Sequence, residues 1–236
     1  MLFTPHAGLT HAGDFVTFLD NAGSAGPLFV AGLGLLGVIL SPFAECAIAK
    51  LLPRLGALRS TVSRVTTAVI TGFICAAFAL RFGFDPALPA FILLAVLGVQ
   101  LARIDISLHL LPNPLVLTLL LAGLVLFLLS VFAGSHWAEL LRAVAGAAIL
   151  FVSYLILAII SPGGIGMGDV KLAGPVGLYL GYLGWNQLLY GGLLGFILGG
   201  IASALMLRFH PKERPAEVAY GPSMLAAVVA VSVIWG

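Results

Sequence analysis

The chain has 236 residues, of which 61% are hydrophobic and 8% charged, and its net charge is +2. Soluble domains carry about 25% charged residues, so this composition excludes a soluble globular protein and reads as an integral membrane protein. A charge excess this small gives no reason to expect a nucleic-acid partner, and the two cysteines, Cys46 and Cys75, build neither a disulfide framework nor a zinc motif.

In chain order, the opening stretch "MLFTPHAGLTHAGDFVTFLDNAGSAG" has no lysine or arginine ahead of an apolar core. It reads as an extracytoplasmic tail over residues 1–27 rather than a cleaved signal peptide. A membrane-crossing helix needs about 20 apolar residues. Apolar runs follow at 28–45, 64–82, 87–104, 114–133, 138–161, 170–184, 187–208 and 218–235. They predict an all-α, polytopic transmembrane helix bundle of about eight spans, forming one domain over 28–236. The sixth run, "VKLAGPVGLYLGYLG", is short and glycine-rich, and the count falls to seven without it.

Lysine and arginine set the orientation, since they accumulate in cytoplasmic loops. Lys50, Arg54, Arg59 and Arg64 follow the first run, and Arg208, Lys212 and Arg214 precede the last. With eight spans both clusters fall on the cytoplasmic side, together with Arg103 and Lys171, and the N-terminus falls outside. Arg81 and Arg142 break the pattern.

The same parity puts two carboxylates at the cytoplasmic face. Asp105, in "QLARIDISLHLLPNPLVL", ends the third run, and Asp169, in "GGIGMGDVKLAG", begins the sixth. Ionisable groups at membrane depth are rare and functional by default. Two carboxylates in a low-dielectric cleft do not both ionise readily, so the pair shares a proton. The ionised member then takes a proton from water while the protonated one polarises a carbonyl. Gly164, Gly166 and Gly168 lack Cβ atoms, so an extended substrate backbone can pass close to Asp169, or φ can turn positive there. Simpler readings exist: Asp169 as a helix cap, Asp105 as a surface charge, Glu45 as a snorkelling side chain. His109 carries little weight as a ligand. The four-residue glycine spacing in "GGLLGFILGG" reads as helix packing, and "LPNP" as a helix break.

At these residues the chain resembles the prepilin peptidases, aspartic membrane proteases that process type IV pilin precursors. "IDISLHLLPNPLVL" is similar to the family's aspartate followed by a Leu-Pro-Asn turn, and "GIGMGDVKLAG" to its Gly-x-Gly-x-Gly-Asp signature. "VAYGPSMLAAV" is similar to its late Pro-Phe-Gly-Pro stretch, with Ala219 and Tyr220 in place of Pro and Phe. The first span departs from the family's Ser-Phe-Leu-Asn core. The resemblance covers roughly residues 30–236. It implies that Asp105 and Asp169 are the catalytic dyad, and that Pro112, Asn113, Lys171, Gly221 and Pro222 join Gly164, Gly166 and Gly168 along the substrate path. Lys171 also reads as a positive-inside anchor. The implied substrate is a prepilin or pseudopilin with a short basic leader ending in glycine, cleaved at the cytoplasmic face of a bacterial plasma membrane. No cofactor and no metal are called for. Larger members also N-methylate the new terminus with S-adenosylmethionine and carry Cys-x-x-Cys pairs in a long loop after the first span. This chain has about twenty residues there and no such pairs, so it resembles a shorter form, expected to cleave without methylating.

The main rival is an ion-coupled transporter or channel, built from broken helices and membrane carboxylates. It fits less well, because both aspartates belong to one face and no inverted repeat is visible. A metal-dependent lipid-phosphate transferase would need clustered aspartates. Oligomeric state, the particular pilin and the pilus subtype stay open.

Overall fold

The computed structural model describes residues 26–51, 61–160, 166–209 and 220–235. They form eight helices: α1 (Pro27–Leu51), α2 (Thr61–Phe82), α3 (Leu88–Leu108), α4 (Asn113–Phe132), α5 (Trp137–Ile160), α6 (Met167–Leu183), α7 (Trp185–Phe209) and α8 (Gly221–Trp235). Each predicted run became one helix, and no strand occurs among the described residues. The protein is a multi-pass helical membrane bundle. Residues 1–25 of the predicted tail, the basic positions Arg54, Arg59, Lys212 and Arg214, and Gly164 lie outside the described residues.

Helices α1 to α5 are each long and apolar enough to cross a bilayer. The two shortest helices are α6, with 17 residues, and α8, with 15. At about 1.5 Å per residue they cover about 26 and 22 Å, less than the roughly 30 Å hydrocarbon core. Shortness is tolerable for α6 because protein surrounds it: Val170 and every residue from Leu172 to Tyr182 are buried. In α1, by contrast, only 11% of the most apolar window is buried.

Small residues let the backbones approach. The α5–α6 pair makes the most extensive contact in the bundle. A Cβ added to Gly146 would lie 2.5 Å from the Gly177 carbonyl oxygen, and one added to Gly181 would lie 2.7 Å from the Arg142 carbonyl oxygen. Arg142 donates its Nε to the Gly181 carbonyl at 2.7 Å and its Nη2 to the Tyr182 carbonyl at 2.5 Å. It therefore caps the C-terminal carbonyls of α6, which is why a cation sits where the charge pattern disfavoured one. The glycines of α7 serve packing as the spacing predicted: Gly191 lies on Leu180 of α6, Gly195 on Met224 of α8, and Gly199 on the Tyr220 ring.

An aromatic cluster occupies the end of the bundle where α2, α4 and α6 finish and α3 begins. Phe91 of α3 stacks on Phe82 of α2 at 4.2 Å and meets Phe127 of α4 and Tyr179 of α6 edge-on at 5.8 and 5.7 Å. Gly123 opens α4 to admit the Tyr179 phenol. The cluster pins α3 to α6 at this end. The opposite ends of the same two helices carry Asp105 and Asp169.

Candidate active site

Asp105 sits in the last turn of α3. That helix stops because His109 adopts the left-handed conformation, with φ +52°, and donates its backbone N–H to the Asp105 carbonyl at 2.8 Å. Leu111 follows, then Pro112, whose extended backbone (ψ 119°) launches α4 at Asn113. The "LPNP" stretch is thus the predicted helix break. Asp169 sits in the first turn of α6, after Gly166.

The turn and the helix starts close on one another. Leu111 packs under Gly168, with its Cβ 3.1 Å from where a Gly168 Cβ would be, and its Cδ1 lies 3.4 Å from the corresponding point at Gly221. Gly221 opens α8, and a Cβ there would lie 2.5 Å from Asp105 Oδ2. Absence of that Cβ lets the α8 N-terminus rest against the carboxylate. Backbone N–H groups of Gly166, Tyr220 and Gly221 face the Asp169 carboxylate, and Asp105 lies within its electrostatic reach. The Gly221 N–H also faces Asp105, whose Oδ2 makes no well-formed hydrogen bond. Asp105 is 3% exposed and Asp169 5%. The start of one helix, the end of another and the N-terminus of a third therefore surround two desolvated carboxylates. Helix N-termini favour negative charge, which offsets part of the cost of burying it.

Other expected positions fall as follows. Lys171 donates to Asn113 Oδ1 at 3.0 Å, joining α6 to the start of α4. Pro222 stands in the first turn of α8, where a missing N–H costs nothing, and lines an apolar groove of about 550 Å3 between α2, α3 and α8. A second groove, of about 490 Å3, runs between α4, α5 and α6 with Asn113 and Lys171 on its wall. Gly166 has φ −69°, and among the described residues glycine enters the left-handed region only at Gly83 and Gly134. The expectation of positive φ is thereby corrected for Gly166 and Gly168, and Gly168 instead gives room to Leu111.

Glu45 does not snorkel. Its carboxylate takes Arg64 at 3.1 Å and Arg103 at 3.3 Å, tying α1 to α2 and to α3 two residues before Asp105. His109, given little weight in the sequence, lies within electrostatic reach of Asp105; Tyr220, read there only as a departure from Phe, turns its N–H to Asp169; and Tyr154 of α5, unmarked in the sequence, is a buried phenol within reach of Asp169. Tyr220 at least stood inside the "VAYGP" stretch.

Comparison with known proteins concerns this same region. The model of the type IV leader peptidase family matches residues 90–204, a segment that contains both aspartates. A protein of Stutzerimonas stutzeri named prepilin leader peptidase/N-methyltransferase is 28% identical over 235 residues, covering 100% of this chain and 73% of the relative. Proteins of the same name from Pseudomonas aeruginosa and Xanthomonas campestris pv. campestris are 32% and 28% identical over 75% and 71% of this chain, which spans only 59% and 57% of their length. No solved structure matches the chain. The signature aspartates meet at one end of the bundle, and over the segment that holds them both the chain is similar to the type IV leader peptidase family.

Proposed function

We propose that this protein is an aspartic endopeptidase that removes the short basic leader from type IV prepilin or pseudopilin precursors at the cytoplasmic face of a bacterial plasma membrane. The observation that carries the reading is the meeting of two carboxylates, each more than nine-tenths buried, at one end of the bundle. At that depth the pair holds one proton between them. The ionised aspartate takes a proton from water as its oxygen attacks the scissile carbonyl carbon, and the protonated one gives its proton to the carbonyl oxygen. Collapse of the tetrahedral species breaks the C–N bond, and the departing nitrogen receives a proton from the dyad. Water is the nucleophile, and neither metal nor cofactor enters.

The same geometry argues against an ion carrier, whose paired carboxylates belong near the bilayer midplane. Here both stand at helix ends. In this reading Lys171, held by Asn113, lies along the substrate path with Gly166, Gly168, Pro112, Gly221 and Pro222.

Co-expression with a candidate prepilin, read by mobility shift, tests the reading. Wild-type protein is expected to shorten the precursor, in the presence of EDTA as well. Asp105→Asn and Asp169→Asn are each expected to abolish cleavage while still accumulating in the membrane, because Asn keeps the shape and cannot exchange the proton. Near-normal cleavage by either variant sinks the dyad. Mass spectrometry of the mature product decides the second activity: a free N-terminal amine is expected, and an added methyl group that depends on this protein refutes the short-form reading. For orientation, cysteines placed in 54–62 or 211–215 should escape an impermeant thiol reagent in intact cells, and one near Ser135 should be labelled. The reverse pattern puts the dyad on the wrong side.

A further inference from the structure

Among the described residues, two tyrosine hydroxyls are buried without a hydrogen-bond partner, Tyr154 on α5 and Tyr179 on α6. An orphaned buried hydroxyl costs roughly 1–3 kcal/mol, so each calls for a reason. Tyr179 has a packing reason: its ring is fully buried against Phe91 and Phe127, and no charged neighbour acts on it. Tyr154 has none of those ring contacts, and Asp169 and Tyr220 lie within its electrostatic reach.

The helix geometry explains that position independently. The antiparallel helices α5 and α6 touch backbone to backbone at Gly146 and Gly177. From that contact toward the site end, the i+4 ridge of α5 runs Gly146, Leu150, Tyr154, and the i−4 ridge of α6 runs Gly177, Ala173, Asp169. All four side chains beyond the glycines are buried. Two turns on each helix, about 12 Å, therefore bring Tyr154 and Asp169 to one level on facing ridges. The arginine clamp from Arg142 to the end of α6 fixes the register.

Resting on the peptidase reading above, we propose that Tyr154 is a positioning residue for Asp169. When a precursor occupies the cleft, the hydroxyl donates to the Asp169 carboxylate and holds it, ionised, toward the attacking water. The bond is absent at rest and forms in the occupied cleft, where it keeps the base ionised and aimed at the water. Other groups bearing on Asp169 are Asp105 from α3, with His109 beside it, and Tyr220 ahead of α8. On α6 itself stands Lys171, engaged by Asn113 of α4. Among the described side chains α7 brings no titratable group to this end.

Tyr154→Phe in the full-length enzyme tests this, since it keeps the ring and deletes only the hydroxyl. A hydrogen bond to a charged group is worth about 1.5–3 kcal/mol, so kcat is expected to fall about 10- to 100-fold with KM little changed. Loss of a donor to the ionised form makes Asp169 harder to ionise, so the acid limb of the kcat profile should move to higher pH. Site-specific 3-fluorotyrosine at 154, a stronger donor of nearly the same shape, should move it to lower pH. That measurement decides the matter if Tyr154→Phe does not accumulate. Wild-type kcat with an unmoved limb, or a loss carried by KM alone, overturns the proposal. If Asp169→Asn is dead and Tyr154→Phe fully active, the dyad stands and Tyr154 falls. If the wild-type protein leaves the precursor intact, the reading and this inference fall together.

Discussion

The bundle contains two antiparallel helix pairs sealed by glycine, and they have different fates. In α1–α2, a Cβ on Gly72 would lie 2.8 Å from the Gly34 carbonyl oxygen, and one on Gly37 would lie 3.0 Å from the Gly72 Cα. In α5–α6, Gly146, Gly177 and Gly181 make equally close contacts. Yet α1 leaves most of its surface outside the bundle, whereas α6 is enclosed by α4, α5, α7 and α8. Small residues assemble helices where water supplies no hydrophobic drive, and they do so with or without chemistry nearby. What separates the pairs is the additional partners that desolvate α6, and the carboxylate at its start. The family model respects the division, because its match begins at residue 90, after α1 and α2.

Substitutions at these glycines should tell the two pairs apart. The largest effect is expected outside both, at Gly221. A methyl there meets Asp105 Oδ2 and displaces a carboxylate rather than a helix. Gly221→Ala should lower kcat/KM by about 100-fold, the scale of a 1 Å misplacement, with thermal stability in detergent nearly unchanged. A parallel collapse of stability would mean that the glycine serves folding instead. Next come Gly177→Val and Gly72→Val, which both press a side chain into a facing backbone. Overpacking of this kind costs about 1–3 kcal/mol, so both should lower the melting temperature. Only Gly177→Val should lose cleavage with it, and equal losses from the two would erase the distinction drawn here. The smallest effect belongs to Gly195→Ala, whose Cβ would sit 3.4 Å from the Met224 Cα, an ordinary contact. It should cleave within a few-fold of wild type, whereas Gly168→Ala, pressing on Leu111 at 3.1 Å, should cleave measurably less.

Much of this was legible in the sequence, because bilayer physics writes in long words. Eight apolar runs could be counted, and the alternation of charge between loops then placed Asp105 and Asp169 at the same end. The turn at "LPNP" announced itself through proline. What stayed hidden depends on which residues of different helices share a level. Tyr154 reads as one more interfacial tyrosine in "FVSYLILAII" until the Gly146–Gly177 contact sets it opposite Asp169. Arg142 looked like a breach of the charge rule because a helix end needing a cation cannot be seen in a linear string. Glu45 looked like a dangling anion because its partners, Arg64 and Arg103, belong to two other helices.

The seating of Gly221 against Asp105, and of the Tyr220 and Gly221 amides toward Asp169, bears on the order of manufacture. A ribosome delivers α3 early, α6 later and α8 last. Both acidic side chains are thus synthesised before the Tyr220 and Gly221 amides that face them. On the proposed function, the dyad therefore lacks the Tyr220 and Gly221 amides until α8 has joined the bundle.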